Sequence, residues 1–243
     1  MPDRRYALII PALDEAGSIG KLLRQIPRDL FPQIIVADNG STDLTAEVAR
    51  EAAAQVVFEP RRGYGNACLA GIAAVEPSAT AIAFIDADLS DDPRDLALLV
   101  ERFEQGGLDL VIGSRVLGKH EPGALAPLQR FGNWLTTRLV RWIWNVSFTD
   151  LGPLRIIRRP ALERLQMSDR TYGWTVEMQA KAAKLGLKCA EVPVRYRRRH
   201  SGRSKVSRTV LGSVRAGFKI LFTVYRCWRQ GQGEAESAAS QKV

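Results

Sequence analysis

The front half of the chain repeats one phrase: a short apolar run, a polar turn, then a stretch with apolar positions at helical spacing. The apolar runs Tyr6–Ile10, Ile34–Ala37, Val56–Phe58, Ala81–Ile85 and Leu108–Ile112 are predicted to be strands, and Ser18–Ile26, Leu44–Ala53, Asn66–Val75 and Pro93–Glu104 the helices between them. Strands alternating with helices of this length imply right-handed crossovers. The expected fold class is therefore α/β, with a mostly parallel sheet and helices on both faces. Ligands of such sheets bind beyond the carboxyl ends of the strands.

Those ends are polar and acidic. The first strand delivers Pro11-Ala12-Leu13-Asp14-Glu15, the second Asp38-Asn39-Gly40-Ser41-Thr42-Asp43, the third leads to Arg61-Arg62-Gly63-Tyr64-Gly65, and the fourth delivers Asp86-Ala87-Asp88. Carboxylates gathered at one edge repel unless cations or amide donors offset them, so the pattern predicts a ligand that brings metal, donors or both. Asp43 and Ser41 also suit the start of the following helix, where a side-chain oxygen satisfies free amides. Gly63 and Gly65 beside Arg61 and Arg62 suit either a close backbone approach to a ligand or tight helix packing. Neither a Gly-x-Gly-x-x-Gly after the first strand nor a Gly-x-x-x-x-Gly-Lys-Ser/Thr occurs, which argues against a Rossmann dehydrogenase and a P-loop NTPase.

The back half changes character. Gln129 to Val146 holds Arg130, Arg138 and Arg141, no acid, and Trp134, Trp142 and Trp144, three of the five tryptophans. Thr209 to Trp228 places Val210, Leu211, Val214, Phe218, Leu221, Phe222 and Tyr225 at helical spacing, with Arg215, Lys219, Arg226 and Arg229 flanking. Aromatic and basic residues on amphipathic helices favour the bilayer interface; packing on the sheet or pairing in a homodimer would use the same apolar faces. The net charge of +9 resides in the C-terminal part, where Ala190 to Gln230 contains eleven Lys or Arg and one acid, Glu191. Residues 1–205 are expected to form one domain, 206–230 a membrane-associating amphipathic helix, and 231–243, small and polar, a disordered tail. Three widely spaced cysteines indicate neither a disulfide framework nor a zinc site. The chain start lacks a signal-peptide layout and no apolar run is long enough to span a bilayer, so a cytoplasmic protein, peripheral on the inner face of the cell membrane, is expected.

Taken in order, Pro11 to Glu15, Asp38 to Asp43, Arg62-Gly63-Tyr64-Gly65-Asn66-Ala67, Asp86-Ala87-Asp88-Leu89 and Gly113-Ser114-Arg115 resemble glycosyltransferase family 2, and within it the polyprenyl-phosphate sugar synthases. The resemblance runs from about Tyr6 to Lys205. It implies a GT-A fold, a nucleotide-sugar donor and inversion at the anomeric carbon. It also implies that Pro11, Leu13 and Glu15 line a nucleoside pocket, that Asp38 accepts hydrogen bonds from the base, that Gly63, Asn66 and Ala87 border the donor, and that Asp86 and Asp88 address ribose and metal. Arg115 resembles an arginine that holds the acceptor phosphate, while Asp150, Glu177 and Gly202-Arg203-Ser204-Lys205 match later motifs. The chain departs from the pattern at Asp38-Asn39, where a paired Asp is usual, at Ser90, where Gln is frequent, and at Gly152-Pro153, where Cys-Gly is usual.

The residues themselves supply a mechanism. A divalent ion, Mg2+ or Mn2+, on Asp86 and Asp88, assisted by Arg199, Arg203 or Lys205, would stabilise the charge growing on a leaving diphosphate. A hydroxyl acceptor needs a general base, for which Asp150 and Glu177 are candidates. A phosphate monoester is already an oxyanion and needs only positioning, for which Arg115 and Arg130 are candidates. The leading expectation is hexosyl transfer from a UDP- or GDP-sugar to a polyprenyl phosphate. Transfer to a sugar or small-molecule hydroxyl, and a non-catalytic anion- or lipid-binding module, are the alternatives. Nucleic acid is not expected, because the acidic strand ends would repel its phosphates.

Overall fold

The structure, a computed structural model, describes residues 5–200 and 217–230. Arg203, Lys205, the first part of the expected amphipathic helix and the expected tail lie outside the described residues. The strands are β1 (Tyr6–Ala12), β2 (Gln33–Asp38), β3 (Gln55–Phe58), β4 (Ala81–Phe84), β5 (Leu110–Ser114), β6 (Arg155–Arg158) and β7 (Cys189–Pro193). The helices are α1 (Ala16–Leu23), α2 (Thr45–Glu51), α3 (Tyr64–Ala73), α4 (Leu96–Glu104), α5 (Pro127–Trp144), α6 (Arg159–Leu165) and α7 (Trp174–Lys184), with a 3-10 turn at Pro93–Asp95 and a last helix, α8, over residues 217–230.

The seven strands form one sheet in the order β3-β2-β1-β4-β6-β5-β7, parallel except for β6, which runs antiparallel to both β4 and β5. Every residue of β1 is buried, as a central strand covered on both faces requires. Its alternating side chains divide between two cores: Leu8, Ile10 and Ala12 pack with Ile19, Leu22, Leu99 and Phe103 beneath α1 and α4, whereas Ala7 and Ile9 pack with Cys68, Phe84, Trp174 and Met178 beneath α3 and α7. Gly71 of α3 lies so close to the sheet that a Cβ there would meet the Ile9 side chain at 2.5 Å.

The expected mostly parallel sheet with two helical layers is present. β6 and β7 were not among the predicted strands. β6 is four residues, Arg155-Ile156-Ile157-Arg158, whose flanking arginines mask its burial: both isoleucines and Arg155 are inaccessible. The reversed direction of β6 has a functional result. Its first residue, Arg155, pairs with Phe84 at the end of β4, so the segment leading into β6 arrives at the carboxyl edge beside Asp86 and Asp88.

Candidate active site

The ends of β1 and β2 form one wall. Pro11 is registered with Ala37 and Ala12 with Asp38, so the segment that continues through Leu13 to Glu15 leaves β1 beside the end of β2. Asp38 is buried and accepts the Ser41 amide on Oδ1 at 2.9 Å. Ser41 in turn accepts the Asp14 amide at 2.9 Å, holding Asp14 in a left-handed turn (φ 48°). Glu15 is buried, takes Ser18 Oγ on Oε2 at 2.9 Å and receives Arg199 on Oε1 at 2.5 Å. Asp43 accepts amides at the starts of two helices, Thr45 of α2 at 3.0 Å and Ala16 of α1 at 3.1 Å, so its capping role spans both.

The glycine pair serves the chain's own backbone. A Cβ on Gly63, whose φ is 140°, would lie 2.2 Å from the Arg170 carbonyl oxygen, and one on Gly65 would lie 2.0 Å from that of Asp169. The Asn66 amide donates to Arg170 O at 3.1 Å, and Asn66 Nδ2 donates to the carbonyls of Arg61 and Arg62 at 3.2 Å each. Of the two uses expected for these glycines, close packing against residues 169–170 is the one these contacts show. Asn39, which stands where a second Asp is usual in the family the chain resembles, fastens the segment from Glu59 to Gly63: Nδ2 donates to Glu59 O and Arg61 O, and Oδ1 accepts the Gly63 amide at 2.7 Å.

At the end of β4, Ala87 is buried between the two acidic residues. Asp88 Oδ1 accepts the Ser90 amide at 2.8 Å around a left-handed Leu89 (φ 60°), and Oδ2 meets the Arg199 guanidinium at 2.8 Å. Asp86 Oδ1 is buried without a hydrogen-bond partner among the described residues. Burial, then the neighbouring Asp88 carboxylate, push the Asp86 carboxyl up to about 7. Asp91 is fully buried with both oxygens unpartnered among the described residues, and burial raises it as well, with the Asp86 charge adding to the effect. Asp92 binds Arg94, Arg195 and Arg197 instead of facing the edge, and its Oδ1 caps the 3-10 turn at the Arg94 amide.

Arg115, just beyond β5, and Asp150, just before β6, meet in a bidentate pair: Nε to Oδ2 at 2.7 Å and Nη2 to Oδ1 at 2.8 Å, with the Arg115 amide on Oδ2 at 2.8 Å. The guanidinium also lies 5.0 Å above the Tyr196 ring. Burial pushes the Asp150 carboxyl up, but the hydrogen bonds and charge of Arg115 outweigh it and hold the group below the usual carboxylate range. The backbone of this turn is tied down by Glu191, which accepts the Thr149 and Asp150 amides, and by Gln179, which donates to Asp150 O at 2.9 Å. Arg155 donates to the Gly152 carbonyl and, at 3.1 Å, to Thr175 O; full burial lowers its pKa to about 10. Arg130 lies on the exposed side of α5.

Glu177 does not have the free lone pairs a general base needs. It is wholly buried and receives Ser168 Oγ at 2.7 Å, the Asp169 amide at 2.7 Å, Lys181 at 2.9 Å and Arg226 of α8 at 3.2 Å. Burial raises it and these donors more than offset that, so it stays ionised. With Asp169, which pairs with Lys219 at 3.0 Å, it anchors α8 to the loop behind Gly63 and Gly65. The two candidate bases are thus both paired: Glu177 with Lys181 and Arg226, Asp150 with Arg115.

Asp86 and Asp88 supply hard oxygen donors of the kind Mg2+ and Mn2+ prefer. Among the described residues no group of three or more His, Cys, Asp or Glu closes around an ion. A divalent ion held here would take two carboxylates from these residues, with phosphate oxygens and water completing its shell, as is usual for Mg2+ at nucleotides. The unpartnered oxygen of Asp86 fits that assignment.

Comparison with known proteins agrees with this geometry. Over 209 residues the chain is 39% identical to an uncharacterized glycosyltransferase of Mycobacterium tuberculosis, covering 85% of this chain and 92% of that protein. It is 30% identical over 230 residues to the undecaprenyl-phosphate mannosyltransferase of Micrococcus luteus, covering 86% and 90% respectively. Among solved structures, glucosyl-3-phosphoglycerate synthase from Mycobacterium tuberculosis, in complex with Mn2+, uridine diphosphate and glucosyl-3-phosphoglycerate, superposes with a TM-score of 0.71 at 24% identity, over 93% of this chain and 80% of that one. That likeness establishes the GT-A fold. The family described as glycosyl transferase family 2 matches residues 7–166, and the chain belongs to it.

Proposed function

We propose that this glycosyltransferase moves a hexose from a nucleoside diphosphate sugar to a polyprenyl phosphate at the cytoplasmic surface of the membrane. The observation that carries the reading is the pairing of the two candidate bases: Asp150 is bound bidentately by Arg115 and Glu177 by Lys181 and Arg226, while Arg115 brings a guanidinium to the strand ends. An acceptor hydroxyl would need one of those carboxylates free to take its proton. A phosphate monoester brings its own oxyanion and needs a positioned charge.

On the donor side, Pro11, Leu13, Glu15 and Asp38 form the wall for the nucleoside, and Asp86 is the acceptor for its sugar hydroxyls. A divalent cation on Asp86 and Asp88 would stabilise the departing diphosphate. Arg199 supplies a second positive charge at the same place. The name of the Micrococcus luteus relative supports a polyprenyl acceptor.

The surface is consistent with work at a bilayer. Phe131, Trp134, Arg138, Arg141 and Trp142 line the exposed side of α5, and Phe218, Phe222, Tyr225 and Trp228 that of α8, while Thr223, Val224 and Cys227 face inward. Exposed aromatic rings alternating with arginines suit the headgroup region of an anionic bilayer. No helix among the described residues is long and apolar enough to cross a membrane.

The test is transfer by the purified full chain with Mn2+, radiolabelled UDP- and GDP-hexoses and polyprenyl phosphate in vesicles. Label is expected in the organic phase, and Asp88→Asn is expected to abolish it. Equal transfer to a free sugar hydroxyl with no lipid product would overturn the acceptor assignment.

A further inference from the structure

The segment from Arg195 to His200 lies across the acidic edge as a strap, and its two halves are held differently. The first half is fixed to the protein: Arg195 pairs with Asp95 at 2.5 Å, Arg197 pairs with Asp92 at 2.7 Å, the Arg197 amide donates to Ser90 O at 2.8 Å, and Tyr196 bridges to Asp91. The second half is held by the edge itself. Arg199 spans Glu15 Oε1 at 2.5 Å and Asp88 Oδ2 at 2.8 Å, the His200 amide donates to Asp88 O at 3.1 Å, and His200 Nε2 meets Lys21 Nζ at 2.7 Å.

We propose that Arg199 is an internal counter-ion that competes with the divalent cation for Asp88, so that metal binding releases residues 199–200 while residues 195–197 stay fixed. Asp88 Oδ1 accepts the Ser90 amide and Oδ2 meets the Arg199 guanidinium, so a cation entering at this carboxylate meets a positive charge already seated on it. A guanidinium and a divalent ion at one carboxylate repel and compete for its few lone pairs. Once displaced, the guanidinium, which binds two oxygens in a fixed fork, is suited to the diphosphate brought with the metal. Arg199 is thus a positioning residue that neutralises the edge before loading and the diphosphate after it. The inference rests on the donor-site reading above, in which Asp88 is a metal ligand.

The test is Mn2+ binding to the full chain without nucleotide, followed by electron paramagnetic resonance, for wild type, Arg199→Gln, Arg199→Lys and Asp88→Asn. Arg199→Gln is expected to bind Mn2+ about tenfold more tightly than wild type, within the range common for linked equilibria, while Arg199→Lys, which keeps the charge, stays near wild type. By the same linkage, Mn2+ should speed hydrogen exchange of the wild-type His200 amide and leave that of Arg197 unchanged. If Arg199→Gln binds Mn2+ no better than wild type while Asp88→Asn loses it, competition is overturned and the metal assignment survives. Wild-type Mn2+ affinity in Asp88→Asn would overturn both.

Discussion

The pair formed by Arg115 and Asp150 shows how much one buried ion pair decides. Truncating Asp150 to Ala leaves the guanidinium without its partner at a site where its side chain is only 15% exposed, a change expected to cost about 3 kcal/mol. Urea unfolding measures that cost, and a higher KM for the phosphate acceptor should accompany it. The pair also sets an acid limit. Because the folded pKa of Asp150 is depressed, its contribution is complete above the unfolded value of about 4 and disappears as pH falls through the folded value. Urea midpoints from pH 6 down to pH 3 should fall less steeply for Asp150→Asn than for wild type. The sequence made Asp86, Asp88, Arg115 and Asp150 legible as chemistry, because an ordered set of motifs carried them. That Arg115 and Asp150, thirty-five positions apart, bind each other was not legible, since it depends on the direction of β6. Arg155 was missed for a different reason: arginine reads as a surface residue, and nothing local signals one that is 1% exposed.

At the level of elements, the strand-turn-helix phrase revealed β1 to β5 and the helices between them, with boundary shifts of a few residues. Helix α1, for example, starts at Ala16, and β5 extends to Ser114, where the strand end carries Arg115 into the site. The pattern failed beyond β5, where β6 is an isoleucine pair between two arginines and β7 carries Glu191 at its centre, so neither shows an unbroken apolar run. The two amphipathic helices were legible as such, but which of their faces meets the protein was not. In α8 the aromatics Phe218, Phe222 and Tyr225, read from the sequence as the apolar stripe, are the exposed side, and the inward side is the quieter Thr223, Val224 and Cys227. Phe222→Glu and Trp142→Glu should therefore weaken flotation with anionic vesicles while leaving the melting temperature nearly unchanged; unchanged flotation would count against the bilayer. Gly65→Ala should behave oppositely. Its new methyl group would meet Asp169 O, at a cost of about 1–3 kcal/mol visible in thermal unfolding, with weaker donor binding following from the displaced loop.

Across the whole molecule, donor choice is the property that the chain's residues display least openly, because a carboxylate such as that of Asp38 can accept hydrogen bonds from uracil or guanine alike. A thermal-shift series with UDP-, GDP- and TDP-sugars and Mn2+ resolves it. A matched nucleotide at one hundred times its Kd adds about 2.7 kcal/mol, enough to raise the midpoint by several degrees, and the mismatched ones should leave it nearly in place. The ion pairs of Lys219 with Asp169 and of Arg226 with Glu177 join α8 to the loop behind Gly63 and Gly65, so Glu177→Ala should loosen both ends together in hydrogen exchange. The backward entry of β6 between β4 and β5 carries one more consequence. It lets a stretch of chain wholly downstream of the nucleotide wall complete the opposite side of the cleft. On the proposed reading the donor wall and the acceptor arginine occupy consecutive tracts of the chain, joined across the edge by Arg199, and recombination between relatives near residue 105 is expected to yield hybrids that follow the first parent in nucleotide and the second in acceptor.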